Sequence, residues 1–197
     1  VAKRLVERKR SGDKVVAVVS AMGKTTDDLI ALANQVNENP PAREMDTLLS
    51  TGELVSMAMM AMAINALGEE AISLSGRQVG LVTNDVHGKA KIREIHAERI
   101  TEALEEDKIV IVAGFQGIDV NGDVTTLGRG GSDTTAVAIA AGIKADVCEI
   151  YTDVDGVYSA DPRVAPKAQK IDVISYEEML EMAAAGAGVL HKRCVEF

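Results

Sequence analysis

Two continuous β-branched runs constrain the fold of this chain more than anything else in it. Residues 15–19 read Val-Val-Ala-Val-Val, and residues 109–115 read Ile-Val-Ile-Val-Ala-Gly-Phe. Neither run alternates with polar residues. A strand that is apolar on both faces has to be covered on both faces, as in a parallel sheet between helical layers. Residues 145–151 read as a third apolar strand, with shorter ones over 71–74 and 81–83. Helical periodicity or composition fills 1–10, 27–37, 42–67, 97–106, 136–141, 176–185 and 189–197. Asn121-Gly122 marks a hairpin turn within 118–126. Strands alternating with helices predict an α/β fold: a three-layer α/β/α sandwich with a mainly parallel sheet and one antiparallel hairpin.

The bulk numbers narrow the function. With 197 residues, a single domain with a sizeable core is expected over 1–197. Thirty acidic against twenty-one basic residues give a net charge of −9. That sign argues against a nucleic-acid or membrane surface, and any anionic substrate needs a local positive pocket. No uninterrupted apolar run approaches membrane-spanning length. The two cysteines, Cys148 and Cys194, form neither a disulfide framework nor a zinc motif, which suits a reducing cytoplasm. Cys148, in an apolar run, is expected in the core. The chain opens and closes inside helical patterns, as a piece of a longer polypeptide would.

The strand ends carry the chemistry. Leu127-Gly128-Arg129-Gly130-Gly131-Ser132-Asp133 leads into an apolar helix. Glycines let a ligand approach the backbone, and Ser132 or Asp133 can cap the helix. The helix N-terminus then favours an anion, and Arg129 adds a forked donor. An ordinary capped loop is the alternative. After the first strand comes Ser20-Ala21-Met22-Gly23-Lys24-Thr25-Thr26, with Thr25 or Thr26 as a cap. Gly52 lies inside a helix, where a kink or a close contact is expected. Glu53 beside it either binds an amino group or is a solvated helix charge. Residues 56–63, dense in Met and Ala, suit a core or a subunit interface. His87 and His96 have no third ligand nearby and read as surface residues. Asp153 and Asp155 point the same way if that segment is extended, which suits Mg²⁺ or ribose hydroxyls. Tyr158 can cover a base and Arg163 can reach phosphate; a set of Asp-Gly and Asp-Pro turns is the alternative.

Taken together and in this order, these motifs resemble those of the aspartokinase catalytic domain, in the amino-acid kinase superfamily. The residues concerned are Ser20-Ala21-Met22-Gly23, Leu49-Ser50-Thr51-Gly52-Glu53, Phe115-Gln116-Gly117, the 127–133 stretch, and Thr152 through Tyr158 with Asp161-Pro162-Arg163. The resemblance implies transfer of the ATP γ-phosphoryl group, with Mg²⁺, to the β-carboxylate of L-aspartate, at the entry to lysine, threonine and methionine synthesis. It implies Arg129 and Asp133 as catalytic residues, with Arg129 clamping a substrate carboxylate and Asp133 organising the site. Gly130, Gly131 and Ser132 would flank that carboxylate, Glu53 would meet the amino group, and Thr26 and Phe115 would line the pocket. Thr152, Asp153, Tyr158 and Arg163 would hold the nucleotide, with no dedicated metal ligand. A homo-oligomer or association with regulatory subunits is implied too.

Two departures stand out. A first strand with a Lys-Phe-Gly-Gly-type motif is outside this sequence, as are regulatory ACT domains. A second lysine position falls at Gly188, with Lys192 nearby. A chain without the phosphate-facing lysine is expected to be inactive or severely impaired. Another superfamily kinase, acting on glutamate or UMP, and a non-catalytic ligand-binding or assembly fragment remain as alternatives.

Overall fold

The computed structural model describes residues 1–152, 154, 156–186, 190 and 192–195. Its elements run α1 (Ala2–Arg10), β1 (Val16–Val19), α2 (Thr25–Val36), α3 (Ala42–Asn65), β2 (Ala71–Leu74), β3 (Leu81–Thr83) and β4 (Ile92–Ile95). They continue with α4 (Glu98–Glu105), β5 (Ile109–Ala113), β6 (Gln116–Ile118), β7 (Val124–Thr126) and α5 (Gly131–Gly142). Last come β8 (Val157–Tyr158), β9 (Lys170–Ile171), α6 (Tyr176–Ala184) and α7 (Lys192–Val195).

The continuous apolar runs do what their composition demands. β5 is buried at every residue and sits between β1 and β2, parallel to both. Its side chains alternate between two cores. Val110 and Val112 pack with Leu74, Leu81, Ile100 and Ile139, on the side of α4 and α5. Ile109 and Ile111 pack with Val6, Ala61 and Ile64, on the side of α1 and α3. Helices therefore cover both faces, and the three-layer expectation holds for this sheet.

The rest of the strands form separate sheets. β4-β3-β6-β7 is a four-stranded mixed sheet in which only β3 and β6 run parallel. β8 and β9 make a two-stranded antiparallel pair. β4 escapes the pattern reading because Ile92-Arg93-Glu94-Ile95 is too charged to stand out; its partner β3 supplies the ladder. The hairpin between β6 and β7 has a longer loop than its Asn-Gly signal suggests. Asp119 organises it by accepting from the amides of Asn121 and Asp123, each at 2.9 Å.

The third apolar strand is a correction. Residues 145–151 make no strand ladder among the described residues, and Val147 and Tyr151 are 66% and 64% exposed. Asp146 and Glu149 break the run, and among the described residues β1 pairs with β5 alone. Cys148 is accordingly exposed rather than in the core, whereas Cys194 is buried. Of the helix expected over 189–197, α7 is the described part.

The longest helix, α3, bears most on the site. Its 24 residues have the length and mean hydropathy (1.5) to cross a membrane. Yet it carries the buried polar residues Asp46, Ser50, Glu53 and Ser56, and Asp46, Ser50 and Glu53 meet partners in other elements of this fold.

Candidate active site at the carboxyl ends of the parallel strands

β1 and β5 end side by side, with Val19 paired to Ala113 and the Gly114 amide donating to the Val19 carbonyl at 3.0 Å. Open α/β sheets place ligands at such carboxyl ends. Three pieces of chain converge here: the loop after β1, the middle of α3, and the start of α5.

Gly130 occupies the position before α5 with φ 71°, a left-handed conformation that glycine takes without a Cβ penalty. Gly130, rather than Ser132 or Asp133, is therefore the cap, and those two residues fall inside the first turn. Their backbone N–H groups have no acceptor among the described residues, so the helix keeps free donors at its positive end. The Ser132 hydroxyl lies over Gly114; a Cβ on Gly114 would come within 2.8 Å of it. Gly131 is equally confined, since a Cβ there would sit 2.9 Å from the Phe115 ring. Phe115 itself has φ 69°, uncommon for a bulky residue. Arg129 is exposed, and no hydrogen bond or ion pair engages it among the described residues.

Neither Thr25 nor Thr26 caps a helix among the described residues. The N-cap of α2 is Lys24, and the Thr25 hydroxyl donates back to the Met22 carbonyl at 2.7 Å. Thr26 is half-buried in the first turn of α2. Gly52 makes the expected close contact rather than a break in α3: a Cβ there would lie 2.9 Å from the Ala21 Cβ. That approach carries the neighbouring Glu53 under the loop. Glu53 is 4% exposed, so the solvated-charge alternative fails. Its Oε1 accepts from the Ala21 amide at 3.1 Å, while its Oε2 is buried with no partner among the described residues. Burial pushes the Glu53 carboxyl up, against the lowering effect of the Ala21 hydrogen bond. A buried acceptor without a donor is costly, and an incoming ammonium group would complete it. Burial also raises Asp133, which is half-buried with no hydrogen-bond partner among the described residues.

Sequence reasoning missed Asp46 and misjudged His87. Asp46 is 1% exposed. It accepts from the Thr126 amide at 3.0 Å, the Thr126 hydroxyl at 2.6 Å and the Gly88 amide at 3.0 Å. His87 Nδ1 lies 2.9 Å from the same carboxylate, and since a carboxylate only accepts, that nitrogen donates. His87 is thus half-buried, not a surface histidine; His96 is exposed beside Glu94. Asp46 locks the strand that enters the glycine-rich stretch onto α3. Gly88 also packs under that stretch, its carbonyl 2.8 Å from where a Gly128 Cβ would be. No local signal marks this cluster, because the partners of Asp46 lie 41 to 80 residues away from it.

The expected nucleotide residues lie on a different segment. Thr152 is exposed, and Tyr158 is on β8. The Arg163 guanidinium forks onto Asp161, at 2.8 Å from Nη2 to Oδ2, which holds that carboxyl below its ordinary range. Asp153, Asp155, Gly188 and the Lys192 side chain lie outside the described residues. Burial, with the negative charge of Asp133 nearby, raises both thiols, that of Cys194 to about 11. Neither cysteine is therefore a thiolate nucleophile near neutrality.

The chain is similar over its whole length to known proteins. The aspartokinase of Mycolicibacterium smegmatis is 60% identical over 198 aligned residues, taking in 100% of this chain and 47% of the relative. The chain thus spans about half the length of the curated relatives it matches. The crystal structure of aspartate kinase from Synechocystis superimposes with a TM-score of 0.85 at 50% identity, covering 99% of this chain and 32% of that one. E. coli aspartokinase III in complex with aspartate and ADP gives 0.76 at 33% identity, covering 99% and 43%. The amino acid kinase family matches residues 1–197. From the strand ends to the glycine-rich helix start, and over its whole length, this chain belongs to the amino acid kinase family.

Proposed function

We propose that residues 1–197 are the phosphotransferase domain of an enzyme that moves the γ-phosphoryl group of ATP to the β-carboxylate of L-aspartate, giving 4-phospho-L-aspartate. The observation that carries this reading is the buried, unpartnered Oε2 of Glu53, in the same strand-end region as the free helix N-terminus of α5. One end suits an ammonium group and the other a carboxylate, the two charges of an amino acid. The aspartokinase relatives, and the E. coli enzyme's complex with aspartate and ADP, support the choice of substrate and nucleotide.

In this reading Arg129 clamps a substrate carboxylate, with the Gly130, Gly131 and Ser132 backbone around it. Glu53 takes the amino group, and Thr26 and Phe115 wall the pocket. The nucleophile is a carboxylate, already ionised at neutral pH, so no strong base is required. Positioning and charge neutralisation carry phosphoryl transfer. Thr152, Tyr158 and Arg163 hold the nucleotide, with Asp153; Arg163 gives up part of its fork to Asp161 to do so. When bound, Mg²⁺ would supply charge neutralisation on the phosphates, and the Asp133 carboxylate, with no hydrogen-bond partner among the described residues, would have the chemistry to face it. The reaction opens lysine, threonine and methionine synthesis in the cytoplasm. Val55, Met59 and Met62 form an exposed apolar stripe on α3, each at least 52% exposed, which supports assembly with further copies or with regulatory subunits.

The test is ADP release with aspartate, glutamate or UMP as acceptor, in the whole polypeptide that carries this domain. Aspartate-dependent release alone is expected; release with glutamate or UMP in its place overturns the substrate. Arg129→Ala should abolish aspartate use and leave nucleotide binding within about twofold of the parent. Equal loss of both contradicts the division of roles.

A further inference from the structure

We infer that Thr135 is a positioning residue, holding Phe115 in its left-handed conformation and thereby shaping the aspartate side of the pocket; this rests on the function proposed above. Thr135 is the fifth residue of α5 and is fully buried. Its Oγ1 accepts from the Phe115 amide at 3.1 Å and donates to the Gly131 carbonyl at 2.8 Å. A hydroxyl has one hydrogen and two lone pairs, so it makes both bonds at once. The second bond, four residues back along the helix, is common for threonine in helices. The first spans twenty residues and reaches the turn between β5 and β6.

Phe115 is held from three sides. Thr135 takes its N–H, Leu127 donates to its carbonyl at 2.8 Å, and its ring lies against Gly131. The left-handed region is unfavourable for phenylalanine, so the conformation persists only while the surroundings enforce it. Of the two hydrogen bonds, only that to the Thr135 hydroxyl ties the end of β5 to the helix that presents Gly131, Ser132 and Asp133. Without it the Phe115 amide is left unpaired in a part-buried setting. The peptide then gains by rotating toward extended φ, which withdraws the ring from Gly131.

Thr135→Val keeps the shape and deletes both bonds, whereas Thr135→Ser keeps the hydroxyl. Aspartate KM should rise about tenfold in Thr135→Val, the effect of losing the hydrogen bond that holds the Phe115 amide. The ATP KM should stay within about twofold, and Thr135→Ser should behave as the parent. Amide hydrogen exchange at Phe115 should quicken by about tenfold or more in Thr135→Val alone. If the valine protein does not fold, Thr135→Ser against Thr135→Ala reads the same contrast. Equal rises in both KM values, or faster exchange with an unchanged aspartate KM, overturn the inference. So does a valine protein matching the serine one. If the parent releases no ADP with aspartate, the functional proposal fails instead, and the exchange contrast still decides whether Thr135 holds Phe115.

Discussion

Replacing Glu53 by Gln removes a negative charge and keeps the side chain's size. The carbonyl of Gln can still accept the Ala21 amide that Glu53 Oε1 accepts at 3.1 Å. What changes is the second oxygen, buried and without a partner. A buried unsatisfied acceptor costs about 1–3 kcal/mol, more when charged. The amide nitrogen also goes unpaired but is neutral, so a gain of about 1 kcal/mol is expected near pH 8. For a chain of this size that is roughly 2–4 °C in melting temperature. The sign follows from burial raising the carboxyl of Glu53 above its ordinary 4.5 in the folded state. As pH rises past that ordinary value, the unfolded chain loses its proton first, so ionisation favours unfolding. The deficit is complete once the folded carboxyl has ionised. The advantage of Gln should therefore be full near pH 8 and vanish below about pH 4. Activity should move the other way. Losing one partner of a buried charge pair costs about 2–4 kcal/mol, or roughly 30-fold to 10³-fold in kcat/KM for aspartate. Thermal melts of parent and variant across pH, beside aspartate kinetics, give both readings. A variant less stable at every pH, or one with unchanged aspartate kinetics, refutes the reasoning.

Two further substitutions test the packing that positions the site. Asp46→Ala strands the Thr126 amide and hydroxyl, the Gly88 amide and His87, and should cost about 2–4 kcal/mol in urea unfolding; less than about 1 would show that Asp46 is not the lock described. Gly52→Ala drives a Cβ to 2.9 Å from that of Ala21. Overpacking of about 1–3 kcal/mol should outweigh the ~1 kcal/mol helix-propensity gain and raise the aspartate KM by displacing the Glu53–Ala21 contact; a stabler protein with unchanged KM would refute the close approach.

The sequence alone determined the local features. The runs at 15–19 and 109–115 had to become covered parallel strands, because no other element buries both faces of an apolar strand. Gly52 and the 127–133 stretch announced close approaches, because only glycine leaves that space. The candidate site residues were legible as residue types near strand ends and helix starts, the places where an α/β sheet exposes backbone donors. Tertiary structure decided what depends on distant neighbours. It buried Glu53 and left one of its oxygens unpaired, where a helical charge read by itself would be solvated. It gave Asp46 and His87 their roles through partners up to 80 residues away. It left 145–151 without a ladder among the described residues, because a ladder depends on a partner strand that the rest of the fold sets beside it. Periodicity and glycine record what a residue's own backbone allows, whereas burial and pairing belong to the surroundings, which no stretch of sequence contains.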